Sequence, residues 1–179
     1  MPFDSTPLQA STTTNGDTTA SCHGICYREM TADDMAFLSR LYRSTREDEL
    51  SCMPWAEPQK QAFIDMQFLA QHDHYQKHYP EALWLIIEQK KQRIGRLYLE
   101  RWNTEHRIID IALIPETRGQ GIGRAILADL MEDAAADGEK GISIHVEKEN
   151  HAMSLYRRMG FAVVEDKGVY DLLRWAPLA

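Results

Sequence analysis

The stretch IPETRGQGIGRAIL, residues 114–127, places three glycines on alternate positions between two arginines and directly before an apolar run. Glycine loses more conformational entropy on folding than other residues, so such a cluster marks unusual backbone angles or a group lying close to the main chain. Free N–H groups at a helix start, together with the helix dipole, bind anions. The stretch therefore predicts either a plain turn into a helix or a phosphate-binding loop.

Seven residues of this loop are candidates for holding a phosphate group. Two of them are arginines, whose guanidinium groups can fork onto phosphate oxygens, and the glycines let the main chain curl around an anion. The common nucleotide motifs do not fit, because GK[ST] is absent and an arginine stands at the third glycine position of GxGxxG. The candidates are Arg118, Gly119, Gln120, Gly121, Ile122, Gly123 and Arg124.

Two helices are predicted in the N-terminal half of the chain. Residues 24–30 read as a strand, after which Thr31 caps the first helix, which ends before Pro54. Helical spacing extends the second helix over 57–80. The residues expected to face the core are Met35, Leu38, Leu41 and Tyr42 on the first helix and Phe63, Met66, Leu69 and Ala70 on the second.

Three β-rich runs follow at 82–89, 93–102 and 106–115, and their short connectors predict an antiparallel meander. The glycine loop then begins a helix at 121–137, which leads to a strand at 142–148. Because one helix joins the third run to that strand, the two strands are expected to be parallel, with a right-handed crossover. A short helix and two closing strands complete this mixed α+β order at 150–159, 161–166 and 169–175.

A second stretch, NHAMSLYRRMGF at 150–161, decides between a turn and a phosphate loop. Together with RGQGIG it resembles the GNAT superfamily of N-acetyltransferases, over 25–176 by order of elements and over 108–161 by motif. The pattern [RQ]xxGx[GA] is met by Arg118, Gly121 and Gly123. The pattern N…A…LY…GF is met by Asn150, Ala152, Leu155, Tyr156, Gly160 and Phe161.

The resemblance implies an α+β GNAT fold: a mixed, mostly antiparallel twisted sheet with a splayed pair of parallel strands and helices on both faces. It implies acetyl-CoA as co-substrate between the splayed strands, and no metal. The pantetheine arm would pair with the backbone of Ile111, Ala112 and Leu113 and would be held by Asn150. The pyrophosphate would lie on residues 118–124, which accounts for the glycines there.

Acetyl transfer to an amine needs two proton movements, one from the ammonium to a base and one from an acid to the departing thiolate. The resemblance implies that Tyr156 is the acid, whereas a purely structural interpretation has its ring packing against the strands. A strand N–H near Leu113 is expected to stabilise the oxyanion. No cysteine lies in the site motifs, which disfavours a covalent route.

The sequence leaves several candidates for the general base that takes the proton of the ammonium. Alternation along the strand at 142–148 places Ser143, His145 and Glu147 on one face. His145 stands where the family often has glutamate, and its ordinary titration range suits a base. Glu147 is a second candidate, otherwise a solvated charge at a strand end. Asp110 is a third, otherwise a surface partner of the nearby Arg107, and water is a fourth.

Composition limits the partners. A net charge of -7 argues against nucleic-acid binding, and no apolar run is long enough to cross a membrane. The three cysteines, Cys22, Cys26 and Cys52, are odd in number and fit a reducing cytoplasm. His74 and His78, four residues apart, are interpreted as a wet helix face rather than a metal pair.

The expected function is direct acetyl transfer from acetyl-CoA to a primary amine in a ternary complex, on a small molecule or on a protein. The alternative is a non-catalytic acyl-CoA-binding or regulatory module, and the resemblance allows a homodimer. In this family the first two helices wall the acceptor pocket, so acidic residues there favour a cationic amine. The candidate pocket residues are Arg46, Glu47, Glu49 and Trp55.

The composition of residues 1–23 predicts a disordered tail before a domain at 24–179, because Ser, Thr, Gly and Pro bury too little apolar surface to offset ordering. A protein that starts at Gly24 should therefore melt at the same temperature as the full chain, as measured by circular dichroism. A melting temperature lower by many degrees would show that the tail packs on the domain.

Overall fold

The computed structural model describes residues 23–138 and 140–177, so the predicted tail lies outside the described residues except for His23. The strands are β1 Ile25–Glu29, β2 Leu83–Gln89, β3 Gln92–Arg101, β4 Glu105–Leu113, β5 Gly141–Glu147, β6 Ala162–Lys167 and β7 Tyr170–Trp175. The helices are α1 Met35–Thr45, α2 Glu47–Ser51, α3 Glu57–His78, α4 Ile122–Ala136 and α5 Met153–Arg158, with single 3₁₀ turns at Ala32–Asp34 and Pro115–Thr117.

One sheet contains all the described strands, in the order β1-β2-β3-β4-β5-β7-β6. The first four strands form an antiparallel meander, as predicted. Helix α4 then links β4 to β5, which runs parallel to β4. β7 pairs antiparallel with β5, and β6 lies at the edge. The predicted mixed sheet with one parallel pair is confirmed.

One extra residue in β4 separates the parallel strands. Tyr98 of β3 pairs with Asp110, but the next β3 residue pairs with Ile108, so Ile109 has no partner on β3. A bulge of this kind bends its strand and increases the local twist. The parallel pairing with β5 ends at Ile108 and Ile144. Beyond these residues β4 follows β3 and β5 follows β7, which leaves a wedge-shaped gap between the two strands.

Helices cover both faces of the sheet. α4 and α5 pack on one face, where Ile126, Tyr156 and Ile144 belong to a single buried cluster. α1 and α3 pack on the other face, where Leu41 and Phe68 belong to a second cluster. The gap between β4 and β5 is therefore bordered by α4 and α5 on one side and by α1 and α3 on the other.

A buried carboxylate fixes the start of α1 on the sheet. Asp34 is 1% exposed and receives two hydrogen bonds of 2.8 Å from Arg28 and one of 3.1 Å from Arg93. It also accepts a hydrogen bond of 2.9 Å from the backbone N–H of Thr31, the predicted cap. The Arg28 guanidinium holds the pKa of Asp34 well below its usual range. This anchoring sets the direction in which α1 runs toward the gap.

The buried face of α3 differs from the prediction. The buried residues are Ile64, Phe68 and His72, whereas Met66 and Leu69 are 61% and 51% exposed. Apolar side chains occur around most of this helix, so spacing alone does not identify the face that packs on α1 and the sheet. Of the stripe expected to lie in the core, Phe63 is partly buried against the second cluster, whereas Met66, Leu69 and Ala70 are exposed and the prediction is wrong for them.

Gly95 lies opposite Leu113 at the end of β4 and leaves no room for a side chain. A Cβ there would overlap the carbonyl oxygen of Ala112 and lie 2.8 Å from Leu113 Cδ2. Forcing extra atoms against a backbone carbonyl displaces a strand. Gly95 therefore lets β3 approach the segment of β4 that borders the gap.

We predict that Gly95→Ala lowers the free energy of unfolding by about 2–3 kcal/mol, as overpacked sites do. Urea denaturation measures this quantity. Gly123→Ala is the matched control, because its Cβ would meet Leu155 Cδ2 at 3.5 Å, an ordinary contact, in a helix that favours alanine. Equal stability of the two variants would contradict the assignment of Gly95 as a close-approach residue.

Candidate active site

The glycine-rich loop enters α4 with a left-handed backbone. Gly119 and Gly121 have φ angles of 72° and 81°, and Gly121 is the N-cap of α4. A side chain would be strained at either position. In the part of the chain that the structure describes, the N–H groups from Gly119 to Arg124 donate no hydrogen bond. These consecutive free donors at a helix N-terminus form a site suited to an anion.

The polar side chains of the loop differ in how many hydrogen bonds they make to the protein. Arg118 donates from Nε to the carbonyl of Leu113 at 2.9 Å and from Nη2 to Ser44 Oγ at 3.1 Å, so its guanidinium joins the loop to β4 and α1. Gln120 donates to a backbone carbonyl of the preceding turn at 2.7 Å. Arg124 is exposed and makes no ion pair within the described residues. Among these side chains, Arg124 is the cation available to a bound anion.

The last residues of β4 present backbone donors to the gap. Ile114 N–H donates to the carbonyl of Ile94 on β3 at 2.8 Å. Because successive residues of a strand direct their N–H groups to opposite sides, the N–H groups of Leu113 and Ile111 point away from β3 and toward β5. Their edge has no strand partner, since β5 pairs with β4 only up to Ile108. An extended arm could pair there, as the resemblance implies for pantetheine.

Tyr156 lies in the core beside this gap. It is 5% exposed, and its ring packs edge-on against Phe161 with the ring centroids 5.5 Å apart. Burial raises the pKa of Tyr156 well above its usual value, and the charge of Asp110 raises it further. The phenol is therefore within electrostatic reach of a residue just beyond the bulge, and it stays protonated at neutral pH.

Asn150 lies in the turn between β5 and α5. Its Oδ1 accepts a hydrogen bond of 2.8 Å from Ala152 N–H, and its own N–H donates to the carbonyl of Glu147 at 2.9 Å. The side chain thus helps to begin α5, while its amide nitrogen has no protein partner within the described residues. A role in holding a coenzyme arm stays a prediction.

Asp110 pairs with a buried arginine rather than with Arg107. Arg96 is 3% exposed and donates from Nη2 to Asp110 Oδ2 at 2.7 Å and to Gln71 at 3.2 Å. The expected surface pairing of Asp110 with Arg107 is wrong. Arg96 lies diagonally across from Asp110 on neighbouring β3, whereas Arg107 lies over the Trp102 ring at 4.8 Å. Asp110 is thus held as one half of a partly buried ion pair.

His145 faces Arg107. Its Nδ1 lies 2.9 Å from Arg107 Nη1, and because a guanidinium only donates, Nδ1 must accept and the ring proton sits on Nε2. Burial lowers the pKa of His145, and the charges of Arg107 and Lys167 lower it further. The basic nitrogen of the neutral imidazole, Nδ1, therefore already accepts a hydrogen bond.

Glu147 ends β5 and contacts the junction of α1 and α2. Its Oε1 accepts a hydrogen bond of 3.1 Å from Tyr170 OH and lies 3.4 Å from Arg46 Nη1. Ser143, His145 and Glu147 share the face opposite the α4 cluster, as the alternation predicts. Of the three base candidates, Glu147 is the half-exposed carboxylate at the α1–α2 junction.

Sequence reasoning missed three groups around this gap: Arg96, Tyr75 and Tyr170. An arginine flanked by apolar residues in the middle of a strand, as in RIGRLYL, was the available signal for Arg96, because such a charge needs a buried partner. Burial raises the pKa of Tyr75, and the charge of Asp110 raises it further. No local pattern identifies Tyr75 or Tyr170, since each meets its carboxylate only through the fold.

The described residues contain no group of three or more His, Cys, Asp or Glu side chains placed to hold a metal ion. His74 and His78 are exposed, and their rings stack at 4.0 Å. None of the described helices is both long and apolar enough to span a membrane.

A sequence model of the acetyltransferase (GNAT) family matches residues 42–161. The chain belongs to this family. The matched range contains the gap, the glycine-rich loop and α5, so the GNAT motifs coincide with the geometry described above. The predicted GNAT fold is confirmed by similar solved structures.

Two solved GNAT structures illustrate the likeness. A PaiA N-acetyltransferase from Thermoplasma acidophilum, in complex with coenzyme A, is 18% identical, with a TM-score of 0.64 over 86% of this chain and 99% of that one. The ribosomal-protein-S18-alanine N-acetyltransferase from Escherichia coli is 17% identical, with a TM-score of 0.55 over 85% and 92% of the two chains. At these identities the likeness shows the fold alone.

A curated GNAT relative is the peptidyl-lysine N-acetyltransferase YjaB from Salmonella typhimurium. It is 31% identical over 101 residues, which are 55% of this chain and 63% of the relative. The alignment thus spans less than two thirds of that protein's length. Its activity on peptidyl lysine is a property of that protein.

We predict that Gly121→Val weakens binding of coenzyme A at least tenfold, because a side chain closes the anion loop and strains its backbone. Isothermal titration calorimetry measures this affinity. Gly138→Val is the matched control: Gly138 has a similar φ of 79° at the opposite end of α4, so it carries the same strain away from the loop. An equal affinity of the two variants would contradict the assignment of the loop.

Proposed function

We propose that this protein is an acetyl-CoA-dependent N-acetyltransferase that acetylates a primary amine by direct transfer in a ternary complex. The observation that carries the proposal is the run of free N–H groups from Gly119 to Arg124 at the wide end of the gap, which Tyr156 and Glu147 also border. The loop suits a nucleotide pyrophosphate, and the gap suits an extended arm. Two groups able to transfer a proton border the gap.

The described residues fit the coenzyme. The free amides of the loop and the guanidinium of Arg124 suit the pyrophosphate, and the unpaired edge of β4 at Ile111 and Leu113 suits the amide-containing arm. Bound acetyl-CoA supplies an activated acetyl thioester. A strand N–H near Leu113 that points into the gap and is left free by the arm would stabilise an oxyanion.

Glu147 is the best supported base. A base must offer a free lone pair to the substrate ammonium. His145 already accepts from Arg107 at 2.9 Å, and Asp110 is held in an ion pair with Arg96 at 2.7 Å that is shorter and more buried than the contact of Glu147 with Arg46 at 3.4 Å. Glu147 Oε2 has no hydrogen-bond partner within the described residues. We therefore place the proton of the ammonium on this oxygen.

The acceptor is proposed to be a primary amine with positive charge. α2 adds Glu47, Asp48 and Glu49 beside Glu147, and their side chains are 61%, 95% and 53% exposed. Relatives that act on peptidyl lysine and on a ribosomal-protein alanine make a protein amine one candidate and a small amine the other. The cytoplasm is the proposed compartment for either acceptor.

Thiol release from acetyl-CoA tests this function against the non-catalytic alternative. The purified protein is mixed with acetyl-CoA and a panel of lysine peptides, N-terminal peptides and polyamines, and free coenzyme A is measured with a thiol reagent. An acetyltransferase releases thiol in proportion to one class of amine. Tight coenzyme binding by calorimetry without thiol release from any amine would favour the acyl-CoA-binding module.

We predict that Tyr156→Phe lowers kcat about 100-fold, the low end for a positioned acid, because the phenol proton is lost while the ring still packs on Phe161. Steady-state rates with the best acceptor measure this. The affinity for coenzyme A and the melting temperature should stay close to those of the unaltered protein. Normal kcat would make Tyr156 a packing residue and leave protonation of the thiolate to water.

A further inference from the structure

Arg46 connects the junction of helices α1 and α2 to the end of β5. It lies between α1 and α2, outside helical geometry, with φ -115° and ψ 8°. Its Nη1 lies 2.9 Å from Glu49 Oε1 and 3.4 Å from Glu147 Oε1. The guanidinium carbon lies 5.9 Å from the centroid of the Tyr42 ring. One arginine therefore contacts a carboxylate of α2, a ring of α1 and the proposed base.

The contacts of Glu147 are asymmetric. Arg46 and the hydroxyl of Tyr170 both approach Oε1, at 3.4 Å and 3.1 Å. Oε2 of the same carboxylate has no partner within the described residues. Two donors on one oxygen restrict the rotation of the carboxylate, and its other oxygen is free to accept a proton. This is the arrangement that a directed base requires.

We propose that Arg46 is a positioning residue for acetyl transfer, which together with Tyr170 orients Glu147 so that Oε2 faces the acceptor amine. This inference rests on the proposed function, in which Glu147 is the base. The α1–α2 junction would then do more than line the acceptor pocket, because it would also orient the base that meets the acceptor amine. Arg46 acts through Glu147 and does not itself exchange a proton.

A structural role does not account for the pair. The side chains of Arg46 and Glu147 are 28% and 37% exposed, and ion pairs at such positions add little to stability. Arg43, one turn earlier on α1, makes tighter contacts, at 2.6 Å with Glu57 and 2.7 Å with Gln61. Loss of Arg43 should therefore cost at least as much stability as loss of Arg46, and Arg43 is not bonded to Glu147.

The test compares Arg46→Met with Arg43→Met as the matched control. Arg46→Met should lower kcat roughly tenfold to 100-fold, as a misplaced catalytic group does, with the KM for acetyl-CoA unchanged. Arg46→Lys should recover a large part of the rate, because it keeps a cation near Oε1. Arg43→Met should keep the rate of the unaltered protein. Equal losses in Arg46→Met and Arg43→Met would overturn the proposal.

A double-variant cycle separates this inference from the assignment of Glu147. If Arg46 acts through Glu147, Arg46→Met should add no further loss of kcat to Glu147→Gln. Losses that multiply in the double variant would show that Arg46 contacts the acceptor directly and would overturn the inference. A normal rate in Glu147→Gln would instead overturn the choice of base, and with it the positioning role.

An NMR measurement that needs no acceptor tests the inference even when every amine tried is inactive. The Glu147 side-chain carboxyl carbon, assigned in a ¹³C-labelled protein by its loss in Glu147→Gln, reports its own surroundings at constant pH. Its chemical shift should change in Arg46→Met and stay constant in Arg43→Met. An unchanged shift in Arg46→Met would show that the two groups do not interact and would overturn the inference whatever the activity.

Discussion

The separation of β4 from β5 after Ile108 and Ile144 is the constraint on which the rest of the site depends. The bulge at Ile109 turns β4 aside while β3 still holds it as far as Leu113, and β7 holds β5 as far as Glu147. Each diverging strand is thus supported on its outer edge and unpaired on its inner edge. Backbone donors are exposed in the middle of a sheet, where another strand would normally satisfy them.

Two ion pairs lie on the α1 side of this gap and share one aromatic ring. Arg96 pairs with Asp110, Arg46 contacts Glu147, and their guanidinium carbons lie 6.0 Å and 5.9 Å from the centroid of Tyr42. The pairs differ in burial. Arg96 is almost fully enclosed, so removing either partner would leave a costly unpaired charge. The pair of Arg46 and Glu147 is more exposed, at 28% and 37% for the two side chains.

Much of the fold could be predicted from the sequence because its signals are local. Alternation, Gly and Pro placed the strands and most helices within a few residues of their observed ends, and the two GNAT motifs identified the family. The first predicted helix is wrong as a single helix, because the backbone at Arg46 divides it into α1 and α2. The bulge at Ile109 could not be predicted, because it depends on how β3 and β4 register. The buried face of α3 was misjudged because apolar residues surround that helix. Asp110 was given the wrong partner because the contact with Arg96 crosses strands.

Candidate site residues could be predicted to the extent that they lie in motifs. The loop at 118–124, Asn150 and Tyr156 were predicted because each belongs to a short pattern. The choice among the bases needed the fold, since His145 and Glu147 look equivalent on an alternating strand. Only their neighbours distinguish them: Arg107 occupies the imidazole nitrogen, whereas Glu147 keeps an open oxygen.

We propose that a coenzyme pyrophosphate lies on the free backbone amides at the start of α4. The most direct measurement follows the backbone amide signals of a ¹⁵N-labelled protein by NMR during titration with coenzyme A. The signals of Gly119 to Arg124 should shift most and saturate together with those of Ile111 and Leu113 on β4. Binding that moves amides elsewhere and leaves those of Gly119 to Arg124 unchanged would contradict the account.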